Sequence, residues 1–293
     1  KSKDNKGEAR REIMLKLRDG IVELYRKVAT SLPKDVEDAL KRAFEKERDS
    51  VAKENLRILL ENVRLARIEE IPICQDTGIP VFYVKVPRCL GQERIKETIL
   101  EATRIATERI PLRPNSVDVI TEKNSGDNTG IDFPLIHMEE TEEENLIIDL
   151  MLKGGGSENI GCMYKLPNTE IKAERGLEGV RAVILDAVLN AQGRGCPPYI
   201  IGVAIGGSRD HVAYQSKRQL LRRLQDFHRE LALASFEEML TQDINRLGIG
   251  VMGIGGDTTC LGIKIEVSNR HPATYFVDIS FSCWAMRRGR LIW

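Results

Sequence analysis

An excess of either charge is absent from this sequence: its 293 residues hold 44 Lys+Arg against 44 Asp+Glu, a formal net charge of zero. A protein that grips nucleic acid through a broad basic surface needs surplus Lys and Arg to neutralise phosphates, so the balance argues against that class. No apolar run approaches the roughly 18 residues that a bilayer-crossing helix requires. The start, Lys1-Ser2-Lys3-Asp4-Asn5-Lys6, leads into a charged amphipathic stretch and not a signal peptide, which sets the expectation of a cytoplasmic protein. Among the six cysteines no Cys-x-x-Cys pair occurs, which leaves a zinc ribbon or thioredoxin-type site without support. In a cytosolic chain such cysteines read as thiols, metal ligands or cluster ligands, not disulfides. A Walker A loop is missing too, because no Lys-Ser/Thr follows the glycines 154–156 at the required spacing. Gly253-Ile254-Gly255-Gly256 fails as a dinucleotide fingerprint, since a strand pattern follows it where a helix is needed. No internal repeat, low-complexity tract or Pro/Ser linker divides the chain.

What is present is a composition that can build a core: 42% hydrophobic residues and 30% charged ones describe a globular protein. The first seventy residues read as helical. Met14, Leu17, Ile21, Leu24, Tyr25 and Val28 recur on one face at a 3.6-residue period. Pro33 suits the first turn of a second helix carrying Val36, Leu40 and Phe44, and Ser50 is placed to cap a third. From about Ile71 the pattern changes to strands at residues 81–86 and 146–152, then a helix around 177–188 stopped by Gly193 and Gly195. The continuous apolar run Tyr199 to Ile205 suggests a strand covered on both faces. A helical stretch over 210–245, a glycine-rich turn from Gly248 to Gly256 and strands at 261–267 and 274–281 complete the order. The expected fold is α+β. A helical N-terminal part, residues 1–70, precedes a mixed α/β domain, residues 71–293, the two forming one continuous structural unit.

Three cysteines stand at the ends of elements, where loops hold functional groups on a rigid scaffold. Cys74 lies in a polar loop before a strand, Cys196 between a helix stop and a buried strand, and Cys283 at the close of the last strand. Three thiolates so placed suit three irons of a cubane with the fourth iron left open. The other reading is that each is a small buried hydrophobe, and pattern alone does not separate Cys162, which also follows a glycine run. Glycines 154–156 let backbone N–H groups approach an anion, or simply make a flexible turn. His271, before Pro272 in a turn, suits proton transfer, with a non-catalytic histidine as the alternative. Arg113, Arg287 and Arg288 have the guanidinium fork that matches a carboxylate, with ordinary surface charge as the alternative.

Taken together, Cys74-Gln75-Asp76-Thr77-Gly78, Lys153-Gly154-Gly155-Gly156-Ser157-Glu158-Asn159, Cys196-Pro197-Pro198-Tyr199 and Ser282-Cys283-Trp284-Ala285-Met286-Arg287-Arg288 resemble the class I, iron–sulfur fumarases. The closely related L-tartrate dehydratases share most of this pattern. The resemblance follows nearly the whole chain in order. It implies that Cys74, Cys196 and Cys283 bind a 4Fe–4S cluster, and that Cys89, Cys162 and Cys260 do not. It also implies that Gln75, Asp76, Arg113 and the glycines Gly154, Gly155 and Gly156 line a pocket for a small dicarboxylate, with Asp76 and His271 handling protons. The activity implied is reversible hydration of fumarate to L-malate, a step of the tricarboxylic acid cycle, with dehydration of L-tartrate to oxaloacetate as the alternative. The Ser157-Glu158-Asn159 tail of the glycine loop is closer to the fumarases.

Single-chain members of that family continue into a second domain, whereas this sequence ends at Leu291-Ile292-Trp293, soon after the third cysteine. It resembles the α subunit of a two-chain enzyme. The expected partners are a separate β subunit and further copies in a higher oligomer, with neither nucleic acid nor membrane. A non-enzymatic, thiol-bearing binding protein is the competing class.

Overall fold

The computed structural model describes residues 2–293, with side chains described from Arg11 onward. In chain order its α-helices are α1 (Ser2–Thr30), α2 (Lys34–Lys46), α3 (Ser50–Ile68), α4 (Gln92–Arg109), α5 (Gly155–Asn159), α6 (Leu177–Ala191), α7 (Arg209–Gln219) and α8 (Leu231–Arg246). The strands are β1 (Ile79–Pro87), β2 (Leu135–Thr141), β3 (Ile147–Lys153), β4 (Cys162–Lys165), β5 (Tyr199–Gly206), β6 (Cys260–Val267), β7 (Phe276–Ser282) and β8 (Arg287–Ile292). The α+β class is as expected. No described helix is long and apolar enough to cross a membrane.

Two compact units form. The first comprises Lys1–Pro33, Val63–Lys153 and Arg287–Trp293, and the second Lys34–Asn62 and Gly154–Met286. These bounds differ from a division at residue 70. The amphipathic period of a helix says that it covers something, not which sheet it covers: α1 packs with the first unit, α2 with the second, and α3 belongs to both.

In the first unit four strands lie in the order β2-β1-β3-β8. β1 and β2 are parallel, so the chain must cross over between them, and α4 makes that crossover. β3 pairs antiparallel with both β1 and β8. The apolar stripe of α1 (Leu17, Ile21, Tyr25 and Val28) and Ile95 and Ile99 of α4 share a core with Phe82, Val84, Ile148 and Leu150 of the sheet. Tyr25 is fully buried. Its hydroxyl lies 2.9 Å from that of Thr103, which donates its own proton to the Ile99 carbonyl, so Tyr25 is the donor. α1 sits so close to β8 that a Cβ on Gly289 would stand 2.7 Å from Val28 Cγ2.

The second unit has the order β4-β7-β5-β6. All eight residues of β5 are buried, as its apolar run suggested. Tyr199, Ile201, Val203 and Ile205 share a core with α6 and α8. By strand alternation Gly202 takes the opposite face, where α7 presses so closely that a Cβ would lie 2.1 Å from the Ser216 carbonyl oxygen. The α2–α3 hairpin is tied to this unit by charge-assisted bonds. The Asp35 carboxylate accepts from Leu224 N–H at 2.9 Å, and Arg48 grips Asp257 with Nε and Nη2 at 2.7 and 2.8 Å.

Local details depart from expectation in explicable ways. Asp49, not Ser50, caps α3, accepting the N–H groups of Val51 and Ala52 at 3.0 and 2.8 Å. The helical stretch over 210–245 is two helices, α7 and α8, joined by residues 220–230. Strands β2 and β8 escaped notice because LIHMEET and RRGRLI carry more polar residues than a buried strand pattern allows.

Two glycine substitutions should move stability in opposite directions. Gly20→Ala, inside α1 with its nearest Cβ contact an ordinary 3.5 Å, should stabilise by about 0.5–1 kcal/mol through helix propensity. Gly202→Ala should destabilise by about 1–3 kcal/mol through overpacking against α7. Urea denaturation midpoints check both, and equal shifts would show that the α7–β5 approach is not tight.

Candidate functional site

The first unit presents a loop at residues 71–78, before β1, and anchors it at four points. Ile73 N–H donates to the Ala29 carbonyl at 3.0 Å, tying the loop to the end of α1. The Asp76 carboxylate accepts Gly78 N–H at 2.9 Å, closing an Asx turn. Arg287 Nη1 donates to the Asp76 carbonyl oxygen at 2.6 Å. Gly78 has φ +85°, and a Cβ there would lie 2.8 Å from the Leu152 carbonyl carbon, so only glycine fits between the loop and β3. Cys74 and Asp76 are half-buried while Gln75 is exposed.

Arg113 joins this loop through its backbone. Its N–H donates to the buried Thr77 hydroxyl at 3.0 Å, leaving its side chain exposed. Asn115 Nδ2 donates to Gly78 O at 3.0 Å. Asn128, buried in a left-handed conformation (φ +59°), accepts Asn115 N–H at 2.6 Å and donates to Arg113 O at 2.9 Å. Sequence reasoning missed Thr77, Asn115 and Asn128 as loop organisers, because isolated polar residues in a long loop carry no period and no spacing.

The second unit brings Cys196 and Cys283 to one edge of its sheet. β5 and β7 are antiparallel, with Ile200 opposite Ser282, so the start of one strand lies beside the end of the other. Trp284 N–H donates to the Cys196 carbonyl at 3.1 Å and ties the two loops directly. Cys196 adopts φ +58° and is exposed; Cys283 is half-buried. Beneath them the Tyr199 hydroxyl donates to the Gln192 carbonyl at 2.6 Å and accepts Gly195 N–H at 3.2 Å. Burial holds the Tyr199 hydroxyl up at about 12, with both thiols close enough to contribute. The glycine-rich turn supports the same loop from behind, since Met252 N–H donates to Pro197 O at 2.8 Å and a Cβ on Gly253 would lie 2.4 Å from Gly193 Cα.

Glycines 154–156 lie at this edge too. Instead of a flexible turn they open the short helix α5, with Gly154 before its first residue. A Cβ on Gly156 would be 3.6 Å from Arg194 O, and one on Gly195 would be 2.3 Å from Ile160 Cδ1. Ser157, buried, donates to Gly154 O at 3.0 Å and fixes the turn. The second unit therefore gathers Gly154, Gly155, Gly156, Cys196 and Cys283.

The other cysteines have different surroundings. Burial pushes the Cys162 thiol up to about 11 and the Cys260 thiol up to about 12, so forming a thiolate costs more there than at an exposed cysteine. Cys89 follows β1 and Cys74 precedes it, and nine residues of strand set their ends roughly 30 Å apart. Among the described residues no three His, Cys, Asp or Glu side chains crowd together as a single-ion site. A cubane places each thiolate on its own iron and does not need them around one atom.

His271 is placed elsewhere. The turn that carries it joins Val267 to Phe276, which face Ile205 and Gly206 at the other end of β5. Along seven residues of β7 that is roughly 20 Å from Cys283. Its Nδ1 accepts Ala273 N–H at 3.1 Å, so a neutral ring carries its proton on the exposed Nε2.

The sequence matches the family described as fumarate hydratase (fumerase) over residues 18–291. The chain belongs to that family. A Geobacillus stearothermophilus protein named as a class I fumarate hydratase is 43% identical over 280 residues, covering 94% of this chain and 54% of its own length. The chain thus spans about half the length of that relative. A Methanocaldococcus jannaschii protein named as an L(+)-tartrate dehydratase subunit alpha is 38% identical across 94% of this chain and 96% of its own. The Escherichia coli K12 L(+)-tartrate dehydratase subunit alpha is 32% identical, with 94% and 90% covered. Family membership agrees with the resemblance carried by the cysteine and glycine segments.

Tyr199→Phe tests the support beneath Cys196. Losing the hydroxyl strands the Gln192 carbonyl and Gly195 N–H, and should cost about 1–3 kcal/mol. Chemical denaturation of the metal-free chain measures it, and an unchanged midpoint would mean that the bridge does not hold this loop.

Proposed function

We propose that this chain is the α subunit of a two-chain iron–sulfur hydro-lyase that reversibly hydrates fumarate to L-malate. The observation that carries the reading is the sorting of six cysteines into three. Deep burial speaks against Cys162 and Cys260, the length of β1 sets Cys89 apart from Cys74, and the β5–β7 register brings the Cys196 and Cys283 segments side by side. Cys74, on a loop anchored at four points, supplies the third thiolate. These residues fit a 4Fe–4S cluster, being three cysteines on loop ends with none locked in a disulfide. When bound, the cluster supplies an open iron that acts as Lewis acid on the substrate hydroxyl.

The chain's own residues supply the rest. Gln75 and Arg113 reach outward to bind a carboxylate, and backbone N–H groups at Gly154, Gly155 and Gly156 receive the substrate without a side chain in the way. The Asp76 carboxylate takes up or releases a proton as hydroxyl and hydrogen add across the double bond. His271, standing at the far end of the β5 sheet, serves the acid–base step at the site of a second copy of the chain, in keeping with an oligomeric enzyme. Further substrate-binding groups come from a separate β subunit, as the names of the tartrate dehydratase relatives suggest. Fumarate is favoured over L-tartrate by the higher identity to the class I fumarate hydratase and by the Ser157-Glu158-Asn159 tail.

Anaerobic reconstitution should give about four iron and four sulfide per chain and a brown, air-bleached protein, the cluster stoichiometry. Cys74→Ser, Cys196→Ser and Cys283→Ser should each lose iron and turnover, while Cys89→Ser, Cys162→Ser and Cys260→Ala keep both. Full iron and turnover in the first three would sink the assignment, and a wild-type chain that stays colourless would favour the thiol-bearing binding protein. Assays with a β subunit on malate and on L-tartrate in parallel decide the substrate.

Asp76→Asn and His271→Asn should each lower turnover by about 10²–10⁴-fold, the scale of a lost acid or base, with iron content unchanged. Mixing the His271→Asn chain with the Cys196→Ser chain should restore part of the turnover, because the Cys196→Ser chain supplies His271 to the intact cluster site of the His271→Asn chain. Absence of restoration in a mixed oligomer that does assemble would remove His271 from the reaction.

A further inference from the structure

Arg287 is the largest fully buried side chain in the described protein, 1% exposed. A guanidinium removed from water needs its N–H groups paired, or it carries a heavy desolvation cost. Only Nη1 is bonded, to the Asp76 carbonyl oxygen, while Nε and Nη2 are buried with no acceptor. Those two nitrogens form one side of the guanidinium, with parallel N–H bonds suited to a bidentate anion. Elsewhere the chain uses that same side for that purpose: Arg48 grips Asp257 and Arg290 grips Asp149, each with Nε at 2.7 Å and Nη2 at 2.8 Å. Among the described side chains, Arg287 keeps that fork buried with no acceptor.

Its neighbourhood says what the fork is ready for. The carbonyl held by Nη1 belongs to Asp76, two residues beyond Cys74, a span of at most about 7 Å along the backbone. A cubane bound through three thiolates brings net negative charge to that place, and hydrogen bonds and charge near the sulfurs set its reduction potential.

We infer that Arg287 is a positioning residue for the cluster: it holds the Cys74 loop through the Asp76 carbonyl and keeps its Nε–Nη2 fork for the negative charge that thiolate and cluster bring. This rests on the proposal that Cys74 is a ligand. Its consequence separates it from a plain structural role. In the metal-free chain the unpaired fork is a liability, and an apolar side chain of similar volume should be tolerated or preferred. In the loaded protein the same change removes the partner of the cluster's charge.

The experiment compares Arg287→Met, Arg287→Lys and wild type, each as the full chain. Metal-free Arg287→Met should unfold at the same urea concentration as wild type or a higher one. After anaerobic reconstitution it should either fail to retain iron or hold a cluster that is harder to reduce. The expected size is at least a tenfold shift towards the oxidised form, about 59 mV for one electron, read by an EPR-monitored titration. Arg287→Lys, which keeps the charge, should recover iron retention and most of the potential. A full complement of iron at unchanged potential in Arg287→Met would overturn the inference. So would a metal-free Arg287→Met chain that is unfolded or strongly destabilised, since Arg287 would then be a structural residue. Cys74→Ser, run alongside, keeps the two claims apart: if it retains its iron, the ligand assignment fails and the inference falls with it, whereas loss of iron there beside an unchanged Arg287→Met overturns the part given to Arg287 alone.

Discussion

The antiparallel pairing of β5 with β7 is the constraint on which the candidate site depends. Ile200 faces Ser282, so two cysteines 87 positions apart in the chain, Cys196 and Cys283, emerge at the same sheet edge. A slip of one residue would turn the alternate side chains of β7 to the wrong face and carry Cys283 with them. The register is well protected against that. Val277, Ile279 and Phe281 are buried on the face shared with α6 and α8, and Asp278 and Ser280 on the other face bond to Ser216 of α7. Both faces of β7 therefore specify the same alignment. The Trp284 N–H to Cys196 carbonyl bond carries it past the strand ends into the loops.

Burial sets the surroundings of two other thiols. Cys260 lies within a strand under α8, where losing a proton would leave a charge in an apolar core, and Cys162 is raised for the same reason with carboxylates nearby. Cys196 and Cys283 stand where chain geometry, not packing, decides their placement: φ +58° at Cys196 turns the chain sharply before β5, and glycines at 193 and 253 allow the backing turn to approach. The close backbone contacts around Cys196 leave that loop little freedom to move.

Much of this was legible in the sequence, and the parts that were not share a cause. β5 and β1 announce themselves by apolar runs, and α1 and α6 by their period, because each buries a face wide enough to leave a pattern. The edge strands β2 and β8 bury less and hold charge, so no alternation survives. Loop scaffolding is more opaque still. Asn128 makes three hydrogen bonds that set the Arg113 segment, yet nothing in its neighbours distinguishes it from any turn asparagine. The placement of α2 and α1 in different units likewise depends on partners more than 100 residues away, such as Leu224 for Asp35. His271 shows the converse difficulty: its local context reads as well suited to proton transfer, but the strand directions that place it far from Cys283 are a property of the sheet.

Overall neutrality of charge says little about the field at the site. The Cys74 loop sets one carboxylate, Asp76, against one buried cation, Arg287, yet does not pair them as an ion pair in the bonds that organise it. The Asp76 carboxylate is turned to the Gly78 N–H, and the guanidinium takes the main-chain oxygen instead. Were the two closed on one another in a bidentate bridge, like those of Arg48 with Asp257 and Arg290 with Asp149, each would neutralise the other. Leaving the Arg287 fork buried without an acceptor costs desolvation that an ion pair would offset. That cost is borne at a loop next to a cysteine, and a fold selected for stability alone would have no reason to retain it.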